Sequence, residues 1–149
     1  MKILNDIKCT VPAESRNEGF ARTLVSSFSA QLDPSVNDIG EIKTAVSEAV
    51  TNCIVHAYRG TRGKIELTAR AMENNILCIK IKDKGCGIEN VEKAMEPLYT
   101  SEPEEERAGL GFAVMETFMD KVSVKSAPGK GTTVTMTRKI LSQENTSDT

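Results

Sequence analysis

Two polar side chains on one predicted helix are candidates for ligand chemistry. Residues 38–58 follow a helical pattern in which Glu48 and Asn52 stand one turn apart. At about 100° per residue, both lie within about 20° of one line, together with Glu41. That line points well away from the apolar side of the helix, so core packing does not explain it. The alternative is an ordinary solvated helix face.

Asp83 is a candidate acceptor for the N–H groups of a ligand. Apolar residues alternate over 77–81 in a predicted strand, and Asp83 continues the inward-facing positions. A buried carboxylate without a partner costs several kcal/mol, so a ligand or water would have to satisfy it. Gly85 and Gly87 follow, and they let the backbone approach a flat or charged ligand because they lack a Cβ. The alternative is an Asx-type turn at the strand end.

The sequence RAGLG at residues 107–111 could bind a phosphate. It stands where a predicted loop becomes a helix, and helix N-termini bind anions through free N–H groups and the helix dipole. Its glycines admit a phosphate, and Arg107 could reach a terminal one. There is no P-loop, and residues 85–87 do not begin a Rossmann unit. A nucleotide site in this chain would therefore be of another kind.

Composition excludes several classes of protein. The chain has 149 residues, the size of one domain, and a net charge of −2, which argues against binding nucleic acid by phosphate neutralisation. No apolar run reaches the roughly 18 residues of a membrane span. The N-terminus turns polar too soon for a signal peptide, so we expect a cytoplasmic protein that contacts neither nucleic acid nor membrane.

The four cysteines are predicted to be structural. None forms a CxxC pair and His56 is the single histidine, which disfavours a zinc site. A disulfide framework has little support without an export signal. Cys9, Cys53 and Cys78 fall within apolar patterns and are interpreted as small buried hydrophobic residues.

The predicted elements follow the order β-α-α-β-β, then a short helix and a loop, then α-β-β. The first helix covers residues 14–32, with an apolar face of Phe20, Leu24, Phe28 and Leu32. Residues 98–108 are polar and are predicted to form a surface loop, a candidate lid. The order predicts an α/β (α+β) two-layer sandwich with helices on one face of a mixed, mostly antiparallel sheet. We expect one domain over residues 1–141 and a disordered tail over 142–149.

Four short motifs, taken in order, resemble a known superfamily. Glu48-x-x-x-Asn52, Asp83-x-Gly85-x-Gly87, Gly109-x-Gly111 and Gly131-Thr132 resemble the N, G1, G2 and G3 boxes of the GHKL ATPases and kinases, such as gyrase, Hsp90, histidine kinases and MutL. EIKTAVSEAVTNCIVHAY, DKGCGI, EPLYTSEPEEERAGLGFAVMETFMD and KGTTV further resemble the anti-sigma serine kinases of sporulating bacteria, over roughly residues 5–140. The resemblance implies a Bergerat-type ATP-binding fold.

The resemblance also implies a role for each motif residue. Asn52 would coordinate the Mg²⁺ that bridges the ATP phosphates, and a carboxamide oxygen is a hard ligand that suits this ion. Glu48 would be the general base that accepts the proton of a serine hydroxyl. Asp83 would accept from the adenine amino group, with Thr132 as a second adenine contact, directly or through water. The other residues that the resemblance places against the nucleotide, its phosphates or the lid are Gly85, Gly87, Arg107, Gly109, Leu110 and Gly111. Arg107 would also be a catalytic residue.

The implied partners are proteins. Such a chain would bind a sporulation sigma factor of the F type as a homodimer and block its access to RNA polymerase. It would also phosphorylate an anti-anti-sigma factor on serine and so inactivate it. Arg22 matches an arginine that contacts both partners, although it could also be a solvated helix charge, and His56 matches without an assigned chemical role.

Two other functions remain open at this point. One is an anti-sigma binding module that uses ATP only to set its conformation, without kinase activity. Glu48 argues against it, because a binding module needs no base beside the metal-binding asparagine. The other is the catalytic domain of a histidine kinase, which is disfavoured because no residues remain for a phosphoacceptor helix pair.

Overall fold

The fold is an α+β sandwich with one sheet and one helical layer. The computed structural model describes residues 1–58, 62–96 and 106–141, except for the side chains of residues 106–110. The elements, in chain order, are β1 (Ile3–Pro12), α1 (Arg16–Ser29), α2 (Val36–Asn52), β2 (Lys64–Met72), β3 (Ile76–Asp83), α3 (Val91–Ala94), α4 (Glu106–Phe118), β4 (Lys121–Ser126) and β5 (Thr132–Lys139). This order confirms the predicted succession of helices and strands.

The sheet has five strands in the order β1-β2-β3-β5-β4. Each neighbouring pair is antiparallel, so the described sheet is antiparallel throughout rather than mixed. The pairing of β3 with β5 places Asp83 directly opposite Thr132. Two of the predicted site residues are therefore cross-strand neighbours.

The core lies between the sheet and α2. Ile42, Val46 and Val50 on α2 are fully buried, and so are Ile79 on β3 and Met136 on β5. Burying one such side chain stabilises the fold by about 1.5–3 kcal/mol. The helix begins with a capping box, in which Ser35 and Asp38 each accept a hydrogen bond from the other's backbone N–H. Burial of this apolar face orients α2 on the sheet and so decides where its polar residues Glu48 and Asn52 lie.

The predicted apolar face of α1 is wrong at its first member. Phe20 is 50% exposed, whereas Ala21, Val25 and Phe28 are buried. A spacing of four residues drifts by about 40° per step around a helix, so the predicted stripe turns away from the core at one end. The helix also ends at Ser29, and Leu32 belongs to a short 3₁₀ turn, Ala30–Leu32.

The second helix is shorter than predicted. Regular α-helix ends at Asn52, and residues Cys53–Ala57 form one π-helical turn. Such turns occur frequently at functional sites. The change of winding begins at the residue directly after the predicted metal ligand.

The predicted loop at residues 98–108 is partly helical, because α4 begins at Glu106. The remainder of that candidate lid lies outside the described residues, as does the tail at 142–149. Among the helices that are described, none combines the length and apolar character needed to cross a membrane.

Candidate functional site

The two polar residues of α2 meet α4 at Gly111, in the second turn of that helix. Glu48 and Asn52 are half-buried. A Cβ on Gly111 would lie 3.1 Å from Glu48 Oε2 and 3.3 Å from Asn52 Oδ1. The sequence-predicted residues Glu48, Asn52 and Gly111 are thus brought together, and a side chain at position 111 would crowd the other two.

Asn52 has an unused hydrogen-bond donor. Its Nδ2 atom is buried and has no hydrogen-bond partner among the described residues. Leaving a buried donor unsatisfied costs about 1–3 kcal/mol, so this atom is suited to a bound group. A carboxamide can offer its oxygen to a cation and its NH₂ to a phosphate oxygen.

Asp83 is buried at the end of β3, which confirms its predicted inward position. It is 4% exposed. Its Oδ1 accepts from the backbone N–H of Gly85 at 2.9 Å and of Thr132 at 3.2 Å. Its Oδ2 lies 3.4 Å from the Cys53 thiol. The hydrogen bond from Gly85 closes an Asx-type turn, the alternative interpretation of Asp83 from the sequence. Asp83 is therefore both a turn residue and a buried carboxylate.

The glycines of this region allow the chain to approach itself closely. A Cβ on Gly85 would lie 2.4 Å from the Ala57 carbonyl oxygen. Gly131 has φ +79°, and a Cβ there would lie 2.2 Å from the Asp83 carbonyl oxygen. Gly87 is similarly close to Ala127. Because these glycines have no side chain, the loop after β3 can pack directly against the π-helical turn. Contact of Gly85 and Gly87 with a nucleotide stays a prediction.

Thr132 belongs to a small hydroxyl network that the sequence prediction missed. Its Oγ1 lies 2.7 Å from Ser126 Oγ, which donates to the Gly131 carbonyl at 3.0 Å and accepts from the Ile88 N–H at 2.8 Å. Since Ser126 has one hydroxyl proton, Thr132 donates to Ser126 and keeps its lone pairs as acceptors. A signal for Ser126 was present, because it continues the inward alternation of Val122 and Val124.

Tyr58 was also missed. Its hydroxyl donates to the Lys64 carbonyl at 2.6 Å and accepts from the Lys84 N–H at 2.8 Å. It thereby joins the end of the π-helical turn to the start of β2 and to the residue after Asp83. A single tyrosine has no spacing pattern, so the sequence alone did not indicate this role.

Two predicted residues lie elsewhere in the molecule. Arg22 is on α1, where its Nε is 3.3 Å from Glu18 Oε1, and the same oxygen accepts from Ser47 of α2. Glu41, on the line of Glu48 and Asn52, pairs instead with Arg138 at 2.5 Å. Arg107, Gly109 and Leu110 fall in the first turn of α4, and their side chains lie outside the described part of the chain.

The described side chains do not form a metal site by themselves. Over residues 1–58, 62–96 and 111–141, no three His, Cys, Asp or Glu side chains cluster as metal ligands would. A cation at Asn52 would therefore need ligands from a bound molecule. This fits Mg²⁺, which keeps several waters and is commonly bound through substrate phosphates together with one or two protein oxygens.

The fold and this arrangement of polar residues define a class of protein, and comparison with known families identifies it. The model of the histidine kinase-like ATPase domain matches residues 11–138. An anti-sigma F factor from Caldanaerobacter subterraneus is 55% identical over 94% of this chain and 97% of its own length. Another from Clostridium acetobutylicum is 50% identical over 91% of this chain and 94% of its own length. The chain belongs to the histidine kinase-like ATPase domain family, in the group of the anti-sigma F factors.

Solved structures show the same fold at low sequence identity. The RsbU and RsbW domains of Rv1364c from Mycobacterium tuberculosis give a TM-score of 0.67 at 20% identity, covering 91% of this chain and 32% of that one. The histidine kinase domain of the Erythrobacter litoralis EL346 blue-light activated kinase gives 0.59 at 19% identity, covering 87% and 62%. Full-length ShkA in complex with AMPPNP gives 0.58 at 17% identity, covering 89% and 31%.

Proposed function

We propose that this chain is an ATP-dependent protein-serine kinase that also acts as an anti-sigma factor. It binds a sporulation sigma factor of the F type and keeps it from RNA polymerase. It phosphorylates an anti-anti-sigma factor on serine and so inactivates it. The observation that carries the kinase assignment is the approach of Glu48 and Asn52 to the Gly111 backbone, because the proposed base and the proposed metal ligand then lie together beside α4.

The proposed reaction uses each residue of the site for one task. Bound ATP with Mg²⁺ supplies an electrophilic γ-phosphoryl group. Asn52 would hold the cation through Oδ1, and its unpaired Nδ2 would donate to a phosphate oxygen. Glu48 accepts the proton of the serine hydroxyl as the serine oxygen bonds to the γ-phosphorus, and the bond from that phosphorus to ADP breaks so that ADP leaves. Asp83 and Thr132 hold the adenine base, and Arg107, Gly109, Leu110 and Gly111 hold the phosphates.

The proposed protein partners rest on the relatives. Those relatives are named anti-sigma F factor, and this chain matches them over almost their whole length. Arg22 fits a partner contact because it is exposed on α1 and its guanidinium is oriented by Glu18. Ser47 of α2 also donates to Glu18 and is the neighbour of Glu48 in the sequence. The surface around Arg22 on α1 is therefore joined to the helix that carries Glu48 and Asn52. We place the sigma factor and the anti-anti-sigma factor at this surface, on a homodimer.

Replacing Glu48 by glutamine tests the kinase assignment. Glu48→Gln keeps the size of the side chain and removes the base, so we expect nucleotide affinity near wild type and loss of phosphotransfer by about 10²–10⁴-fold. Transfer is measured with ATP, Mg²⁺ and the anti-anti-sigma factor, with mapping of phosphoserine. Glu73→Gln is the matched control, since Glu73 is exposed in the turn between β2 and β3.

The outcomes separate the competing functions. Unchanged transfer by Glu48→Gln would overturn the role of this residue. Absence of transfer from the wild type, with sigma affinity that still differs between ADP and ATP, would make the chain a nucleotide-gated binding module. Phosphate on His56 instead of a partner serine would make it a histidine kinase.

A further inference from the structure

We propose that Cys53 is a positioning residue for base recognition, because its thiol orients Asp83 and leaves that carboxylate one free acceptor position. The inference rests on the proposed function, in which Asp83 binds the nucleobase. It concerns the base that the pocket selects, not the transfer of phosphate.

Cys53 is placed for this task by the change in helix winding. It is the first residue of the π-helical turn and is 3% exposed. Its Sγ lies 3.4 Å from Asp83 Oδ2, within the range of hydrogen bonds to sulfur. Sequence reasoning interpreted Cys53 as a small hydrophobic residue, which its burial confirms but which leaves the carboxylate contact out.

The thiol acts as the donor in this contact. A thiol carries an S–H donor, whereas a carboxylate oxygen accepts, so the S–H proton of Cys53 points to Asp83 Oδ2. Both side chains are buried, which keeps the contact away from bulk water.

Counting acceptor positions shows what remains for a ligand. A carboxylate has about four lone-pair positions. Oδ1 accepts from the Gly85 and Thr132 backbone N–H groups, and Oδ2 accepts from Cys53. One position on Oδ2 is left, and it suits a single N–H donor.

This geometry selects a base with an exocyclic amino group. The amino group of adenine can donate to the remaining position on Oδ2. A base with a keto oxygen at the same place, as in inosine, would set an acceptor against a carboxylate and lose the hydrogen bond. Cys53 sharpens this choice, because without the thiol the carboxylate can rotate or admit water.

Binding of ATP and of inosine triphosphate, each with Mg²⁺, tests the proposal on the full chain. We expect Cys53→Ala to lower the affinity for ATP by about three- to tenfold. The ratio of the affinities for ATP and inosine triphosphate should fall by a similar factor. Cys53→Ser keeps a donor and should restore part of the preference. Cys78→Ala is the matched control, since Cys78 is a second buried cysteine and is not among the described hydrogen-bond partners of Asp83. It should leave the preference at the wild-type value.

Asp83→Asn separates base recognition by Asp83 from the positioning role of Cys53. If Asp83→Asn keeps the wild-type preference, the proposed base pocket is wrong. If Asp83→Asn loses the preference while Cys53→Ala keeps it in a folded chain, Cys53 has no positioning role and only the present inference fails.

Infrared spectroscopy gives a readout that does not depend on nucleotide. The difference spectrum of wild type minus Cys53→Ala isolates the S–H stretching band of this thiol. We expect a band shifted by hydrogen bonding, and a move toward the free-thiol position in Asp83→Asn. The same band position in both backgrounds would overturn the hydrogen bond on which the inference depends.

Discussion

Gly111 is the residue on which the placement of the Glu48 and Asn52 side chains depends most directly. Its missing side chain leaves the space in which Glu48 and Asn52 stand. Protein interiors are packed closely enough that one added methyl group must displace its neighbours. The space available to these two side chains of α2 is therefore set by a residue of another helix.

Gly111→Ala is expected to damage transfer more than binding. The added Cβ would lie 3.1 Å from Glu48 Oε2, so the carboxylate must move by a few tenths of an ångström. Because a misplaced catalytic group costs rate steeply, we expect transfer to the serine to fall by roughly tenfold or more. Single-turnover kinetics and calorimetry with ATP separate the two effects.

Gly40→Ala is the control for this experiment. Nothing lies within 4 Å of a Cβ at Gly40, which is also on a helix. This variant should leave transfer unchanged and raise stability by about 0.5–1 kcal/mol, since glycine disfavours helix. Equal transfer rates in Gly111→Ala and Gly40→Ala would contradict the packing argument.

At this scale, sequence reasoning reached the residues whose position follows from periodicity. Alternation in β3 predicted that Asp83 is buried, and helical spacing predicted that Glu48 and Asn52 share a line. It could not show that Cys53 donates to Asp83. That contact joins two different elements, and the periodicity of each element does not tell how closely the two pack together. Phe20 shows the opposite error, where a regular spacing was taken for a buried face.

The element that shapes the proposed base pocket around Asp83 is the loop after β3. Its backbone is tied to the π-helical turn by the Cys86 N–H bond to the Ala57 carbonyl at 2.9 Å, and to the β4–β5 turn by the Gly129 N–H bond to the Cys86 carbonyl at 2.7 Å. Tyr58 adds its two hydroxyl bonds at the same junction. The loop is thus held by elements on both sides.

Tyr58→Phe removes the hydroxyl and leaves the Lys84 N–H and the Lys64 carbonyl without this partner. We expect a loss of about 1–3 kcal/mol in unfolding free energy, together with weaker ATP binding, because the residue after Asp83 is loosened. Urea unfolding and calorimetry measure the two effects. Wild-type values of both would show that the backbone bonds alone hold the loop.

The elements themselves were predicted better than their ends. The order of helices and strands follows from apolar periodicity, which was sufficient here. The π-helical turn at Cys53–Ala57 was not predicted, since its residues continue the apolar pattern of α2 and only contact with Gly85 distinguishes them. The start of α4 at Glu106 was missed by two residues, because an acidic stretch has no apolar face.

On the scale of the whole molecule, the Arg138 side chain connects parts of the chain that are distant in sequence. Its guanidinium lies 2.6 Å from Asp38 Oδ1 and 2.5 Å from Glu41 Oε2, and it donates to the Phe118 carbonyl at 2.6 Å. The beginning of α2, the end of α4 and the end of β5 therefore meet at one side chain. Asp38 and Arg138 are mostly buried, so solvent screens this pair less than a surface pair.

Asp38→Asn is expected to lower stability in a pH-dependent way. Burial alone would raise the pKa of the Asp38 carboxyl, but hydrogen bonds from the Ser35 N–H and from Arg138 outweigh it and lower the pKa. A lowered pKa stabilises the fold above the unfolded value of about 3.9, and this contribution is lost as the pH falls through the folded value. We expect a loss of about 1–3 kcal/mol at pH 7.

The measurement is urea unfolding of wild type and Asp38→Asn at neutral and acid pH. The difference between the two chains should shrink as the pH falls below about 4. A difference that stays constant across this range would show that the carboxylate charge contributes nothing and that only the cap geometry matters.

The strand order β1-β2-β3-β5-β4 was beyond the sequence prediction. Hairpins between neighbouring strands can be inferred from short turns, as for β2 with β3 and β4 with β5. The pairing of β3 with β5 joins residues some 50 positions apart, as with Asp83 and Thr132, and depends on the packing of α4 between them in the chain.

That long-range pairing has a consequence for how the protein is made. Asp83 leaves the ribosome well before Thr132, so a growing chain has half of the proposed base pocket and no partner for it. In the proposed function, adenine recognition begins only when β5 has been synthesised and has docked. ATP then favours the completed chain over shorter nascent forms, by mass action on the folded state alone.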